Sequence, residues 1–404
     1  MTKKLLVVSH AGVLDVNRAI FQELARRSKD LELVMIVPSS WKGDLIRELD
    51  FKSSVGDHSI RVVDLPVRNS GNGSLFFFAE SLGTALKGWS PDVVFVDEEP
   101  WSLGALQIFR EFRNSQIYFF TKQNLKKKLP PPFSWTQQWI FSRSEAAFSV
   151  ASEVTEVLRW KGYSKTVLEL PHSYDPQCFS RPTEGEKSAL KKALSIPADA
   201  QVISYFGRLT AEKGISELLK IMIDSKENAN FGSSHFLFVG NGPMEAEVRA
   251  AVDLMPLGRA TFLPALPHDQ VGKTLAVSDI LVLPSRTVKN WKEQFGRILV
   301  EAWACGSAVV GSDSGEIPHL IKRASGGLVF PEGKAEALSK CLEELITHPE
   351  MLKDFRERGY SYVHQHLTHR SVAEKLARDL GITLHQEKEF RDKSAESLSD
   401  VDPL

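Results

Sequence analysis

Short apolar runs alternate with helical periods along almost the whole chain, and the alternation starts again after about residue 180. In the first half the runs are residues 4–9, Leu33–Val37, Ile60–Leu65, Val93–Val96, Ile117–Phe120, Ala147–Val150 and Val167–Leu170. In the second half they are Val202–Phe206, Phe236–Val239, Thr261–Leu263, Ile280–Leu283, Val309–Val310 and Leu328–Phe330. Runs this short and this continuously apolar are strands buried on both faces, which only a parallel sheet covered by helices provides. A chain of 404 residues also exceeds one ordinary core. The expected class is therefore α/β, with two Rossmann-like doubly wound domains. Helices are predicted over Asp15–Arg27, with Asp15 as N-cap, over Phe77–Leu86, and from Pro349 to Leu380. The Gly/Asn/Ser-rich segment Arg68–Ser74 reads as a loop, and Asp175–Leu194 as a linker with a short helix.

Composition narrows the function classes. A net charge of −1 argues against wholesale nucleic-acid binding. The three cysteines, Cys178, Cys305 and Cys341, have neither metal nor disulfide spacing and fit a reducing compartment. The N-terminus runs straight into a strand, and no apolar run approaches the roughly 18 residues of a membrane span. A cytoplasmic location is expected, with peripheral contact at the inner face of the membrane as a further expectation.

Chemistry concentrates between Leu281 and Leu320. A strand ends at Pro284-Ser285, a loop follows, and Ile298, Leu299, Ala302 and Trp303 recur at helical spacing before Ala308–Val310 restart a strand. Glu293 falls in the loop and Glu301 inside the helix. Phe295, Gly296 and Arg297 open that helix, so their backbone N–H groups are expected to face an anion such as phosphate. A carboxylate ahead of the helix and one a turn into it suit sugar and ribose hydroxyls.

The stretch EQFGRILVEAWACG, followed by GEIPHL, resembles the retaining nucleotide-sugar glycosyltransferases of family 4 (glycosyl transferases group 1), whose signature is Glu, seven residues, Glu. The resemblance is most specific over residues 205–320. It implies the GT-B fold, in which two Rossmann-like domains face each other across a cleft. It also implies an N-terminal acceptor-side domain over 1–178 and a nucleotide-sugar-binding domain over 179–365. Residues 366–386 would form a helix returning to the first domain, and 387–404, charged and Ser/Asp-rich, a disordered tail.

On this resemblance Arg208 and Lys213, which follow Gly207 at a strand end, contact the donor diphosphate. Arg supplies planar contacts and Lys a point charge where negative charge develops. Glu293 holds sugar hydroxyls and Glu301 the ribose. Gln294, Phe295, Gly296 and Arg297 line the same donor site, as does Asn241 in the turn Gly240-Asn241-Gly242. Gly12, in the loop after the first strand, lets backbone approach the pyrophosphate, while His10 beside it reads equally as a loop histidine. Relatives carry a His that contacts the transferred sugar, where this chain has Thr121-Lys122-Gln123-Asn124, so Gln123 departs from the pattern and cannot titrate near neutrality. Gln123, Asn124 and Glu98 are placed on the acceptor side. Lys122 and Lys126–Lys128, followed by Phe133, Trp135 and Trp139, suit peripheral contact with an anionic membrane.

The reading is a retaining hexosyltransferase that uses a nucleoside diphosphate sugar as substrate, with no metal and no cofactor, acting on a glycan, a lipid-linked acceptor or a small molecule. Arg208, Lys213 and Glu293 carry the chemistry. Two rivals are a nucleotide-sugar 2-epimerase on the same fold and a non-catalytic nucleotide-sugar-binding subunit.

Overall fold

The computed structural model describes residues 2–42, 48–50 and 59–385; the expected tail over 387–404 lies outside them. The chain divides into two compact units. One takes in residues up to Thr121, residues 129–148 and those from Ala373 on; the other takes in 122–128 and 149–372. The division assigns residues 149–178 to the second unit, whereas the apolar pattern restarts after about residue 180.

In the first unit β1 (Lys3–Ser9), β2 (Leu31–Pro38), β3 (Arg61–Leu65), β4 (Val93–Asp97) and β5 (Gln116–Thr121) lie parallel in the order β5-β4-β1-β2-β3. Leu5 to Val8 are completely buried, as the unbroken apolar run requires. The chain moves outward from β1 to β2 and β3, then crosses to β4 on the other side. The loops after β1 and β4 therefore meet at a switch point.

The second unit repeats the plan. Its strands are β6 (Gln201–Phe206), β7 (Ser234–Val239), β8 (Ala260–Leu263), β9 (Ile280–Leu283), β10 (Ala308–Ser312) and β11 (Gly327–Phe330). They form a six-stranded parallel sheet in the order β8-β7-β6-β9-β10-β11. Ile203, Tyr205, Phe236, Phe238, Ile280, Val282 and Val310 on the strands pack with Leu218, Met222, Leu338 and Leu342 on the covering helices. Each such side chain contributes about 1.5–3 kcal/mol on burial. The switch point lies between β6 and β9, where Ile203 pairs with Ile280. It brings together two loops that are far apart in sequence.

Two expectations need correction. Asp15 does not cap a helix over Asp15–Arg27. Two short 3-10 turns, Ala11–Val13 and Asp15–Asn17, precede the helix α1 (Ala19–Arg27). The cause is Arg18, which is wholly buried and donates to the Gly12 carbonyl at 2.6 Å; the Asp15 carboxylate is engaged by the same guanidinium. The stretch Phe77–Leu86 is not one helix. Phe77–Phe78 is extended and pairs antiparallel with Val67–Arg68, and only Leu82–Ala85 is helical. Phe76 and Phe78 are buried with Phe77 exposed between them, a period of two rather than 3.6. The stretch from Pro349 to Leu380 is helical as expected, in two helices, α2 (Pro349–His366) and α3 (His369–Asp379). Among the described residues no helix is long and apolar enough to cross a membrane.

Candidate donor site in the second unit

Leaving β6, the chain passes Gly207 and Arg208, makes a 3-10 turn at Ala211–Lys213, and enters a helix at Ile215. Gly214 joins turn to helix in a left-handed conformation, φ 68°. A Cβ there would stand 1.8 Å from the carbonyl oxygen of Pro284, the residue that ends β9. The loops after β6 and β9 thus touch backbone to backbone, and only glycine permits it.

This contact sets the ammonium of Lys213 among groups of the second loop. Lys213 Nζ lies 2.6 Å from Glu293 Oε2 and 4.6 Å from the centroid of the Trp291 ring. Ser285 Oγ donates to the same carboxylate oxygen at 2.9 Å. Glu293 itself is buried, and its backbone is pinned. Its carbonyl accepts from Asn124 Nδ2 at 2.9 Å and from the Glu316 N–H at 3.2 Å. Glu316, from GEIPHL, is fully buried; it accepts from Ser152 Oγ at 3.1 Å and the Glu153 N–H at 3.2 Å and pairs with Arg323 at 2.6 Å. Glu153 in turn pairs with Lys292. A web of buried polar contacts therefore fixes the loop that carries Glu293.

The next helix begins at Arg297 and runs to Ala304, with left-handed Gly296, φ 82°, at its N-cap. The expected three-residue opening is corrected here, since Phe295 lies outside the helix. Its ring is buried, edge-on to His172 at 5.3 Å. Arg297 Nη2 donates to His172 Nδ1 at 3.1 Å. Burial, helped by the Arg297 and Lys122 charges, holds His172 well below the usual imidazole range, so it is a neutral acceptor. Glu301 sits one turn in and is buried. Burial raises its carboxyl to about 7, with the Arg297 charge opposing. Among the described residues neither a hydrogen bond nor an ion pair reaches the Glu301 carboxyl, while the Glu301 carbonyl accepts from the Cys305 N–H at 3.1 Å within the helix. The helix is anchored by Trp303, fully buried, whose indole donates to the Gly326 carbonyl at 2.9 Å.

The structure thus joins Lys213 to Glu293, fastens Asn124 behind Glu293, and groups Phe295, Arg297 and Glu301 around one helix start. Arg208 is exposed and within 4.0 Å of Glu212; its carbonyl accepts the Tyr205 hydroxyl at 2.5 Å. Asn241 and Gln294 are exposed; the Asn241 carbonyl accepts from the Leu209 N–H at 2.7 Å. The Gln123 side chain accepts from the Leu125 N–H at 3.1 Å. Gly12 and Glu98 belong to the first unit. A Cβ on Gly12 would meet Met35 at 2.4 Å, so this glycine serves packing. Glu98, buried, takes the His10 N–H at 2.7 Å and His10 Nδ1 at 2.6 Å. Ser285, Trp291, Glu153 and His172 escape sequence reading; Trp291, two positions ahead of Glu293, has no spacing to single it out.

A twin-unit parallel-sheet protein with this loop pair is a GT-B glycosyltransferase fold. Residues 186–362 match the family model described as glycosyl transferases group 1. Over 183 residues the chain is 29% identical to the 2-deoxystreptamine N-acetyl-D-glucosaminyltransferase of Streptomyces fradiae, covering 45% of this chain and 42% of that protein. Over 218 residues it is 30% identical to the GDP-mannose-dependent monoacylated alpha-(1-6)-phosphatidylinositol monomannoside mannosyltransferase of Corynebacterium glutamicum, covering 53% and 56%. The chain thus spans about half the length of the curated relatives it matches. The crystal structure of HepE from Anabaena in complex with UDP is similar in fold over 94% of this chain and 100% of that one, with a TM-score of 0.71 and 15% identity.

Proposed function

We propose that this chain is a retaining, metal-independent hexosyltransferase that takes a nucleoside diphosphate sugar as donor and needs no cofactor. The observation that carries the reading is the loop pair at the β6/β9 switch point. It sets a lysine beside a buried carboxylate, and the next helix holds a second buried carboxylate without a donor of its own. In this proposal Lys213 and Arg208 receive the diphosphate, Glu293 the hydroxyls of the transferred sugar and Glu301 the ribose. The start of the Arg297–Ala304 helix offers its N–H groups to phosphate. The bond from the anomeric carbon to the β-phosphate oxygen breaks as the acceptor oxygen bonds to that carbon on the same face. The acceptor's proton passes to the departing phosphate oxygen, so no side-chain base is required, and Gln123 in place of His is compatible with the step. Two cations placed where the leaving group gains charge supply electrostatic stabilisation.

The family match and the UDP held by the HepE neighbour support a nucleoside diphosphate donor. Glu98 and Gln123 are proposed on the acceptor side, while the buried Asn124 amide supports the Glu293 loop instead. The protein is proposed to work in the cytoplasm. Trp135, 69% exposed on the helix Phe133–Arg143, supports peripheral membrane contact of that helix.

Thermal-shift titration with UDP, GDP and ADP and their hexose conjugates tests the donor site. Binding at a hundredfold excess over Kd stabilises the native state by about 2.7 kcal/mol. An unmoved melting temperature with every one of them sinks the reading. Proton NMR of the product then tests retention: an inverted anomeric configuration would rule it out.

A further inference from the structure

We propose that Trp291 is a positioning residue of the donor site: its indole face holds the Lys213 ammonium where the diphosphate is to be received. The inference rests on the donor-site reading above.

A lysine ammonium on a four-carbon stem has no fixed place unless its surroundings give it one. Two groups do so here, the Glu293 carboxylate at 2.6 Å and the Trp291 ring at 4.6 Å. They behave differently once a donor arrives. A carboxylate competes with a phosphate for the same N–H groups. An aromatic face attracts the cation through its quadrupole and leaves the N–H groups free to turn toward an anion. Trp291 can therefore keep holding Lys213 after Glu293 has let go.

The ring is itself well placed for this. Val288 and Trp291 exchange backbone hydrogen bonds, 2.8 Å from the Val288 N–H and 3.2 Å from the Trp291 N–H, closing the loop into a tight turn. Both shoulders of the turn are anchored within the same unit. The Arg286 N–H donates to the Glu212 carbonyl at 2.7 Å and the Thr287 N–H to Glu332 at 2.5 Å, while Lys292 pairs with Glu153. Glu212 directly precedes Lys213, so the turn carrying the indole and the turn carrying the ammonium are tied together. The indole stays partly exposed, and the backbone bonds of the turn fix the position from which it projects. A tryptophan so built into the second loop has a job in the site.

The test measures binding of UDP, GDP and ADP to the full chain by NMR titration, which reads millimolar constants, using whichever binds wild type most tightly. Trp291→Leu should weaken that nucleotide roughly threefold to thirtyfold, the span a cation–π contact covers, and Trp291→Phe should recover most of the loss. In a Lys213→Ala background the Trp291→Leu change should have no further effect, because the ring acts through the ammonium. Turnover should fall along with affinity, with melting temperature little changed. The proposal is overturned if Trp291→Leu binds as wild type does, or if it costs the same with and without Lys213, which would mean direct contact or mere scaffolding. Should Trp291→Leu fail to fold, Trp291→Met, which keeps apolar bulk without an aromatic face, gives the same comparison in the two backgrounds. Failure of wild type to bind any of the three nucleotides would instead defeat the donor-site reading itself.

Discussion

Lys213 and Glu293, 80 positions apart in sequence, form an ion pair of 2.6 Å with both side chains mostly buried. A sequence reading gives them separate tasks, one toward phosphate and one toward sugar. The pair shows that each is the other's partner when nothing else is bound. Any anion that approaches Lys213 competes with Glu293, and any sugar that approaches Glu293 competes with Lys213. On the proposed reading, donor binding would exchange one ion pair for two ligand contacts, so the net gain should be smaller than either contact alone suggests.

Glu293→Gln should separate the two effects. Losing the carboxylate frees Lys213 for the diphosphate, so sugar-free nucleotide should bind more tightly, by about 0.5–1 kcal/mol for a pair that keeps some exposure. Turnover should fall roughly 10²-fold, because contacts to the sugar matter most as the anomeric carbon gains positive charge. Calorimetry with the nucleotide, run beside a turnover assay, checks both signs. Weaker nucleotide binding in this variant would place Glu293 on the nucleotide rather than on the sugar.

Lys213→Ala and Arg208→Ala should each lower turnover roughly 10²-fold or more, as loss of a charge contact that strengthens in the transition state does. Their effects on stability should differ. Arg208 is exposed, and removing it should leave the melting temperature alone. Removing Lys213 strands a buried carboxylate and should lower it, by about 1–3 kcal/mol in denaturant titration. Wild-type turnover in either variant would take that residue out of the diphosphate site.

Gly359 supports the site from behind. It lies in α2, and a Cβ there would fall 2.0 Å from Trp303 Cδ1, on the side chain that anchors the Glu301 helix. Gly359→Ala should cost about 1–3 kcal/mol through overpacking, seen as a lower urea midpoint with unchanged slope. An unaltered midpoint would mean the two helices can part without penalty.

The second unit is the more readable half. Its six strands match the apolar runs to within two residues, because strands buried on both faces leave unbroken Val, Ile, Leu and Phe runs. Glu293 and Glu301 stand out because the loop and the helix between β9 and β10 are local in sequence. Spacing does not reveal the contacts that the sheet order creates. Strand β6 pairs with β9 as well as with its sequence neighbour β7, and the pairing with β9 sets Lys213 on Glu293 and Trp291. The same reason hides the pairing of His10 with Glu98 at the β1/β4 switch point. In the first unit Phe77–Leu86 misleads, because buried phenylalanines at alternate positions look like a helical stripe when the window is short. Asp15 misleads because a buried arginine, invisible as such in the sequence, takes the carboxylate that a cap would use.

Glu301 should make both stability and nucleotide binding depend on pH, with opposite signs. Its carboxyl is raised from 4.5 to about 7 by burial, so the folded protein binds a proton that the unfolded chain has released throughout that window. Stability without ligand should therefore fall as pH rises from about 4.5 to 7 and level off above it, by on the order of 3 kcal/mol in total. Glu301→Gln removes this slope, and the variant should be the more stable of the two at pH 8. Binding runs the other way. Ribose hydroxyls donate to a carboxylate, so the ionised form is the one that binds, and nucleotide affinity should rise as pH rises through about 7. Replacing Glu301 by Gln should flatten that profile and cost about 1–3 kcal/mol of affinity at pH 8, the range for a hydrogen bond to a charged group. Melting curves and calorimetric titrations of both proteins at pH 5.5, 7 and 8.5 check the two signs together. A variant that loses nucleotide affinity equally at all three values would show that Glu301 shapes the helix but does not hold the ribose.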